Sequence, residues 1–384
     1  MINAKREFTV LDLFCGCGGL SQGFHDAGFK ILAGNDIWGT ALETFENMHK
    51  GAKPILGDIT DEKVRKEIVD TVDRNVDVII GGPPCQAYSL AGTRDPDDPR
   101  GKLFEQYVKL VQKINPKFFV MENVKGILTM KHYREDLTKS EMKERDEILK
   151  NIKKLAEKRS KCWSKGDASE HFDKRRKLSS KISRLRKSLR KFQEPVTALI
   201  KRKFKDIEYH VEFRKFNAAE FGVPQSRERV FFIGTKKKKD IVFPTKNFSR
   251  VTMKDAIGSM PNPRKSPEDE VYNGSFSTIY MSRNRRRGWD DVSFTIQAGI
   301  RHLPLHPSSP KMVKKGPDKW IFSNPKKTRR LSFREAAKIQ TFPDKYNFCG
   351  NQSDKIKQIG NAVPPLLSRR IAEPILKKLE AEFD

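Results

Sequence analysis

Short apolar runs alternate with amphipathic stretches along most of this chain, and that alternation sets the expected fold. Phe8–Phe14, Lys30–Gly34, Pro54–Leu56, Val76–Ile80 and Phe118–Met121 are apolar runs bounded by turn formers, as buried parallel strands are. Between them, apolar positions recur at helical spacing. One such stretch runs from Leu20 through Phe24 and Ala27 to a C-cap at Gly28, and another from about Leu103 to Ile114. The pattern resumes after Lys205 with the strands His210–Phe213 and Arg229–Ile233. A helix over Ser332–Gln340, a turn at Gly360–Pro365 and a closing helix follow. Strands alternating with helices predict an α/β fold with a doubly wound sheet.

Two regions break the pattern. Between about 138 and 192, Ile148, Ile152 and Leu155, then Leu178, Ile182, Leu185, Leu189 and Phe192, follow heptad-like spacing. Ser164–Asp167 interrupts them, which predicts an antiparallel helical hairpin with a narrow apolar seam. From about 245 to 325 periodicity is weak and prolines are frequent, as in a smaller loop-rich domain. The expected organisation is a large domain over 1–240 carrying the insert at 138–192, a small domain over 245–325, and a return to the large domain over 326–384.

Charge then narrows the partner. The 384 residues carry a formal net charge of +28, an excess that points to a polyanion such as nucleic acid. Residues 141–191 alone hold 19 Lys/Arg against 8 Asp/Glu, a net of +11. That excess suits either a solvated arm or a nucleic-acid contact. No run has the apolar length of a membrane span, and the N-terminus lacks a signal-peptide core, so the expected location is cytoplasmic. The five cysteines (15, 17, 85, 162 and 349) show no paired spacing, which argues for reducing surroundings. Cys15-Gly16-Cys17 is too tight for a zinc pair, so no metal is expected.

Chemistry concentrates where strands end. Gly81-Gly82-Pro83-Pro84-Cys85-Gln86-Ala87-Tyr88-Ser89 follows a strand with a stiff loop whose first reactive side chain is a thiol. Another strand delivers Glu122, a carboxylate suited to donating a proton if burial raises its pKa. A glycine turn, Cys15–Leu20, opens the first helix, while Asp36 and Asp58 end the next two strands. Two acids and a glycine turn on one sheet edge suit an adenosine, although either aspartate could instead cap a helix. Arg227 and Arg229 lie two apart, hence on one face if the strand includes both. Ser282–Trp289 is rich in Arg and Asn, the side chains best shaped to read guanine and adenine edges. A nicotinamide-dependent oxidoreductase would explain the glycine turn but gives Cys85 no role. A non-catalytic nucleic-acid binder would explain the charge but needs neither Cys85 nor Glu122.

Taken together, Phe14–Leu20, Gly81–Ser89, Glu122-Asn123-Val124, Gln225-x-Arg227-x-Arg229, Arg330–Pro343 and Gly360–Pro364 stand in an order that resembles the DNA (cytosine-5)-methyltransferases. The resemblance implies an S-adenosylmethionine-dependent, Rossmann-like mixed sheet with a smaller target-recognition domain. It implies S-adenosylmethionine as cofactor, with no metal, held by Phe14, Gly16, Gly19, Leu20, Asp36, Ile37, Asp58, Ile59 and Pro83, with Asn361 and Val363 closing the pocket. Where the family often has an aromatic after the ribose acid, this chain has Ile37 and then Trp38, leaving open which of them covers the adenine. The implied chemistry is attack of the Cys85 thiolate on cytosine C6 while Glu122 holds N3. Arg227 would sit over the O2 side of the base, supported by Gln225 and Arg229. Residues Gly274–Arg285, Phe294–Ala298 and Arg301 look like the branch that modifies GGCC, with Ser89, Arg283, Arg285 and Arg301 contacting DNA. Duplex DNA is then the partner of a monomeric enzyme in the bacterial cytoplasm, working alongside a cognate restriction endonuclease. A transfer-RNA methyltransferase on the same fold is the alternative.

Overall fold

The computed structural model describes residues 6–73, 75–84, 99–162, 168–246, 249–261 and 270–382. The chain divides into two compact units. One comprises the segments up to Ala87, Pro96–Lys125 and Lys203 onward, and the other is built around Gly126–Arg202.

The larger unit is organised on a seven-stranded sheet. Its elements begin β1 (Thr9–Leu13), α1 (Gly19–Ala27), β2 (Lys30–Asp36), α2 (Gly39–Met48), β3 (Lys53–Leu56), α3 (Glu62–Val72), β4 (Val78–Gly81), α4 (Pro99–Ile114) and β5 (Phe118–Val124). In the arm unit follow β6 (Lys131–Tyr133), α5 (Lys139–Lys161), α6 (Ala168–Ser188) and β7 (Gln193–Pro195), then α7 (Val196–Lys205) leads back. The larger unit continues with β8 (His210–Asn217), β9 (Glu228–Thr235), α8 (Met253–Ile257), β10 (Met312–Gly316), β11 (Lys319–Phe322), α9 (Phe333–Ile339), α10 (Gln352–Asn361) and α11 (Pro365–Glu380). The sheet order is β3-β2-β1-β4-β5-β9-β8. The first five strands are parallel, and β9 and β8 join antiparallel. The fold is thus a mixed, Rossmann-like α/β sheet. Carboxyl ends of β1, β2, β4 and β5 share an edge with the amino end of β9, and the side chains singled out in the sequence at strand ends collect on that edge.

Burial explains why these runs become strands. Val10, Val78, Ile80, Val120, Phe231 and Ile233 sit in one core with Phe24 of α1 and Leu367, Ile371 and Ile375 of α11. Helices α1 and α11 pack so closely that a Cβ on Gly23 would lie 2.3 Å from Ser368 Cβ, and Ser368 Oγ donates to Leu20 O at 2.6 Å. A second core joins α8, α9, α10 and the segment around Ile296 and Leu303. The region between α8 and α9 holds little regular structure beyond the β10–β11 hairpin. Its loops are tied together by arginine. Arg330, 2% exposed, donates to Tyr272 O, Gly274 O and Ser275 O, and its guanidinium lies 3.7 Å from the Phe276 ring centre.

In the arm unit, α5 and α6 close on Ile152, Ile182, Leu189 and Phe192, flanked by Ile148, Leu155 and Leu185. Lys191 reaches Glu144 at 2.7 Å, so the end of one helix lies beside the start of the other, and β6 pairs antiparallel with β7 at the base.

Asp12 is a buried acid in the middle of β1. Ser21 Oγ donates to its Oδ2, and Oδ1 has no partner. Burial lifts its pKa from 3.8 to about 7. The folded chain therefore keeps this proton to about pH 7 while an unfolded chain releases it near 3.8. The stability it contributes is complete below the unfolded value and is lost as pH rises through the folded one, at ~1.4 kcal/mol per unit. Asp12→Asn should remove that decline. In denaturant unfolding at about pH 5 and about pH 8, the variant gains on the wild type at the higher pH. Parallel pH dependences would contradict the assignment.

Candidate active site at the carboxyl edge of the sheet

Glu122 and Asn123 end β5 beside the loop that leaves β4. Asn123 Nδ2 donates to Pro83 O at 2.9 Å, which fastens the loop to the strand. Gly82 lies against Glu122, since a Cβ there would be 3.4 Å from Oε2. Two prolines then fix the direction of the chain. Cys85 follows two residues after Pro83, and both Cys85 and Ser89 lie outside the described residues. The role of Asn123 was missed in the sequence, where its position directly after Glu122 was the available signal.

Strand β9 enters the same edge from the other direction. In the antiparallel register Val124 faces Arg229 and Glu122 faces Phe231, which makes Arg229 a diagonal neighbour of Glu122 on one face. Arg229 Nε lies 2.7 Å from Glu122 Oε1, and both side chains are largely buried. Burial pushes the Glu122 carboxyl above its ordinary pKa, while the charges of Arg229 and Arg227 pull it back.

The arginine expected over the base is committed elsewhere. Arg227 precedes the first residue of β9, so the two-residue alternation does not carry it to the face of Arg229. It is 1% exposed. Its Nη1 donates to Ile296 O at 2.9 Å, and its Nη2 to Gly360 O and Ala362 O, both at 2.8 Å. Gln225 is equally internal. Its Nε2 donates to Gln340 Oε1 at 2.9 Å and its Oε1 accepts from Ile296 N, while Gln340 Nε2 donates to Ile359 O. Of the three polar residues in this motif, Arg229 alone meets Glu122; Gln225 and Arg227 hold the backbone around Ile296 and Gly360–Ala362. Gln340 was not singled out in the sequence, because nothing local marks a glutamine at a helix end.

The other residues assigned to a cofactor line the neighbouring strand ends. Phe14 leaves β1 in the left-handed region, φ 60°, and turns the chain into Gly16 and Gly18. Gly16 N donates to Asp36 Oδ2 and Trp38 N to Asp36 Oδ1, both at 2.8 Å. Burial raises the Asp36 pKa against those bonds. Asp58 is exposed and accepts from Thr60 N, and the N-cap of α3 is Asp61. Neither Asp36 nor Asp58 caps a helix. Ile37 and Leu56 are 69% and 60% exposed, whereas Ile59 is buried. The Trp38 ring has the Lys357 ammonium 4.2 Å from its centre. Gly19 sits under Ala362 and Val363, where a Cβ would come within 2.7 Å of Val363 O, and Leu20 is buried behind it. Pro83 and Val363 are buried and Asn361 is exposed. Backbone amides, a carboxylate and open aliphatic surface at adjacent strand ends fit an adenosine-bearing cofactor.

Of the arginines expected to touch DNA, Arg283 and Arg301 are exposed. Arg285 is not available. It is 8% exposed, its Nε donates to Tyr280 O at 3.0 Å, and its guanidinium lies 4.8 Å from the Tyr280 ring centre. An irregular backbone leaves carbonyls that need donors, and a buried guanidinium supplies them. Among the described residues, no group of three or more His, Cys, Asp or Glu could hold a metal, and no helix is long and apolar enough to cross a membrane.

Known proteins match this arrangement along its length. The profile of the C-5 cytosine-specific DNA methylases matches residues 8–160 and 186–377, leaving 161–185 unmatched. The Type II methyltransferase M.MthTI of Methanothermobacter thermautotrophicus is 38% identical over 97% of this chain and 98% of its own. M.NgoPII of Neisseria gonorrhoeae, another Type II methyltransferase, is 35% identical over 98% and 97%. Among solved structures, the methyltransferase EhMeth of Entamoeba histolytica superposes with a TM-score of 0.63 at 14% identity, over 97% of this chain and 99% of its own. The Dnmt2 methyltransferase of S. pombe gives 0.52 at 15%, over 98% and 99%. At such identities the structural likeness speaks for the fold, while the profile and the full-length relatives speak for the family. The chain belongs to the C-5 cytosine-specific DNA methylase family.

Proposed function

We propose that this enzyme methylates C5 of cytosine in duplex DNA at a short site, GGCC, through a covalent adduct between Cys85 and C6, and so protects DNA from a cognate restriction endonuclease. The observation that carries the reading is the Glu122–Arg229 pair beside the loop that Asn123 fastens at Pro83. C5 of cytosine is a weak nucleophile. Addition of the Cys85 thiolate at C6 breaks the C5=C6 π bond and moves its electron pair to C5, and a proton held by Glu122 at N3 stabilises the resulting enamine. Arg229, rather than Arg227, is the guanidinium placed to face the O2 side of the base. S-adenosylmethionine, when bound, supplies a methyl group on a sulfonium for C5. Loss of the C5 proton then restores the double bond and expels the thiolate. Because C5 and C6 are shielded in a duplex, the base flips out at a cost of a few kcal/mol.

Cofactor residues follow the geometry of the edge. Asp36 accepts the ribose hydroxyls, Gly16 and Gly19 allow close approach of backbone, and Phe14, Leu20, Pro83, Asn361 and Val363 enclose the remainder. Ile37, being open, covers the adenine with Ile59, while Trp38 is engaged by Lys357. Asp58 is solvent-facing and closes the polar side. The Type II relatives favour duplex DNA over transfer RNA as the substrate, and in this reading the enzyme acts as a monomer in the cytoplasm. The loop-rich segment 245–325 serves as the target-recognition region.

Two experiments bear on this. Cys85→Ala should bind duplex DNA, transfer no methyl group, and form no adduct with a duplex carrying 5-fluorocytosine, and Glu122→Gln should slow transfer by ~10²-fold or more. Near-normal turnover by Cys85→Ala would overturn the mechanism. For recognition, Arg283→Ala and Arg301→Ala should each lose ~1–3 kcal/mol of discrimination at one base pair. Arg285→Ala should lower the melting temperature instead. Equal weakening of all sequences by the first two would make them phosphate contacts.

A further inference from the structure

Charge is unevenly divided between the two helices of the arm. Helix α5 has nine Lys/Arg and five Asp/Glu, while α6 has eight and two. Several acids of the arm's first helix are engaged. Glu141 pairs with Arg134 at 2.9 Å, Glu144 with Lys191 at 2.7 Å, and Asp146 with Arg145 at 2.8 Å. Helix α6 turns Ile182 and Leu185 into the seam, and Leu189 joins them just past its end. On its solvent side, Lys174, Lys177, Lys181 and Arg184 are all exposed and follow one another at spacings of three, four and three residues. That spacing makes one stripe along the helix, ~15 Å long at 1.5 Å per residue. Arg176 and Lys187 are exposed on the face away from the seam, and Arg190 is exposed just beyond the end of the helix.

Such a stripe is unfavourable for the isolated helix, because like charges three and four residues apart repel by a few tenths of a kcal/mol per pair. A dense row of anions reverses that sign. Duplex DNA presents one charge per ~1.7 Å of axis, and DNA is the substrate of this chain's family. A lipid surface fits less well, since Ile182 and Leu185 of α6 are taken up in the seam and Phe172 is the exposed large apolar side chain left to insert among the described residues of the helix. The family profile breaks off at residue 160 and resumes at 186. Lys174–Arg184 therefore lies outside the pattern by which the family handles its substrate.

We propose that the exposed basic stripe of α6 binds the phosphate backbone of duplex DNA, adding affinity without reading bases. This rests on the duplex-DNA reading above, but its test reads binding alone, so the two can fail separately. Full-length wild type is compared with K174Q/K177Q/K181Q/R184Q and with K63Q/K66Q/K109Q/K113Q, which removes equal charge from exposed positions on α3 and α4. Affinity for a site-containing duplex and for a scrambled duplex is followed by fluorescence anisotropy from about 50 to 200 mM salt. Each lost phosphate contact lowers the slope of log affinity against log salt by about 0.9, so the α6 variant should lose about two to four units. It should keep its preference for the site and its turnover at saturating DNA, and the α3/α4 control should lose much less. An unchanged slope in an α6 variant with unchanged circular dichroism and melting temperature overturns the proposal. So does an equal loss in the control, which would reflect net charge alone. A slope that stays put while the variant loses self-association or binding to phosphatidylserine vesicles would assign the stripe to those partners instead.

Discussion

One buried guanidinium holds the carboxyl edge of the sheet together. Arg227 contributes its donors to the carbonyls of Gly360 and Ala362 in one turn and of Ile296 in a segment distant in sequence. None of those carbonyls belongs to a helix interior or a sheet ladder that could satisfy it otherwise, and a buried carbonyl without a donor costs ~1–3 kcal/mol. With Gln225 and Gln340 adding bonds to Ile296 and Ile359, the loop over Gly19 and the segment around Ile296 are tied to the start of β9. Removing that cation would leave several carbonyls unpaired at once, which is why a lysine with its single ammonium is a poor substitute.

The chemistry depends on that tie through β9. Because the strand runs against β5, its first residues arrive where β5 ends, and Arg229 meets Glu122 there. A parallel strand would have brought its opposite end to this edge. The pairing with Arg229 offsets part of the burial that raises the Glu122 pKa. On the other side of β5, Asn123 fixes Pro83 at the exit of β4. Pro83, carboxyl and guanidinium are thereby referred to one sheet.

Strands and helices of the sheet were legible because burial imposes period on sequence. β4 reads as a continuous apolar run since both its faces are covered, and the C-cap at Gly28 shows as a glycine with φ 110°. What sequence could not tell was which arginines face out. Arg227, Arg285 and Arg330 sit in polar, irregular stretches that suggest surface, yet their guanidiniums are taken up by the stray carbonyls that such irregular backbone creates. The partner of an arginine in a loop is set by tertiary structure, and no local pattern carries it. The helical arm was legible for the opposite reason: its seam follows a simple heptad-like repeat. Between Ile37 and Trp38, only the position of Lys357, some three hundred residues on, distinguishes the engaged side chain from the open one.

The atom that gains the methyl group reports whether the Glu122–Arg229 edge acts on C5 of cytosine in DNA. The purified enzyme is incubated with S-adenosylmethionine bearing a labelled methyl group and a duplex containing GGCC, with a transfer RNA as competitor. The nucleic acids are then digested and their nucleosides separated by mass. The account predicts label in 5-methyldeoxycytidine from the duplex, and none when the duplex lacks its site. Label on an exocyclic nitrogen of cytosine or adenine, or in the transfer RNA instead, would contradict it.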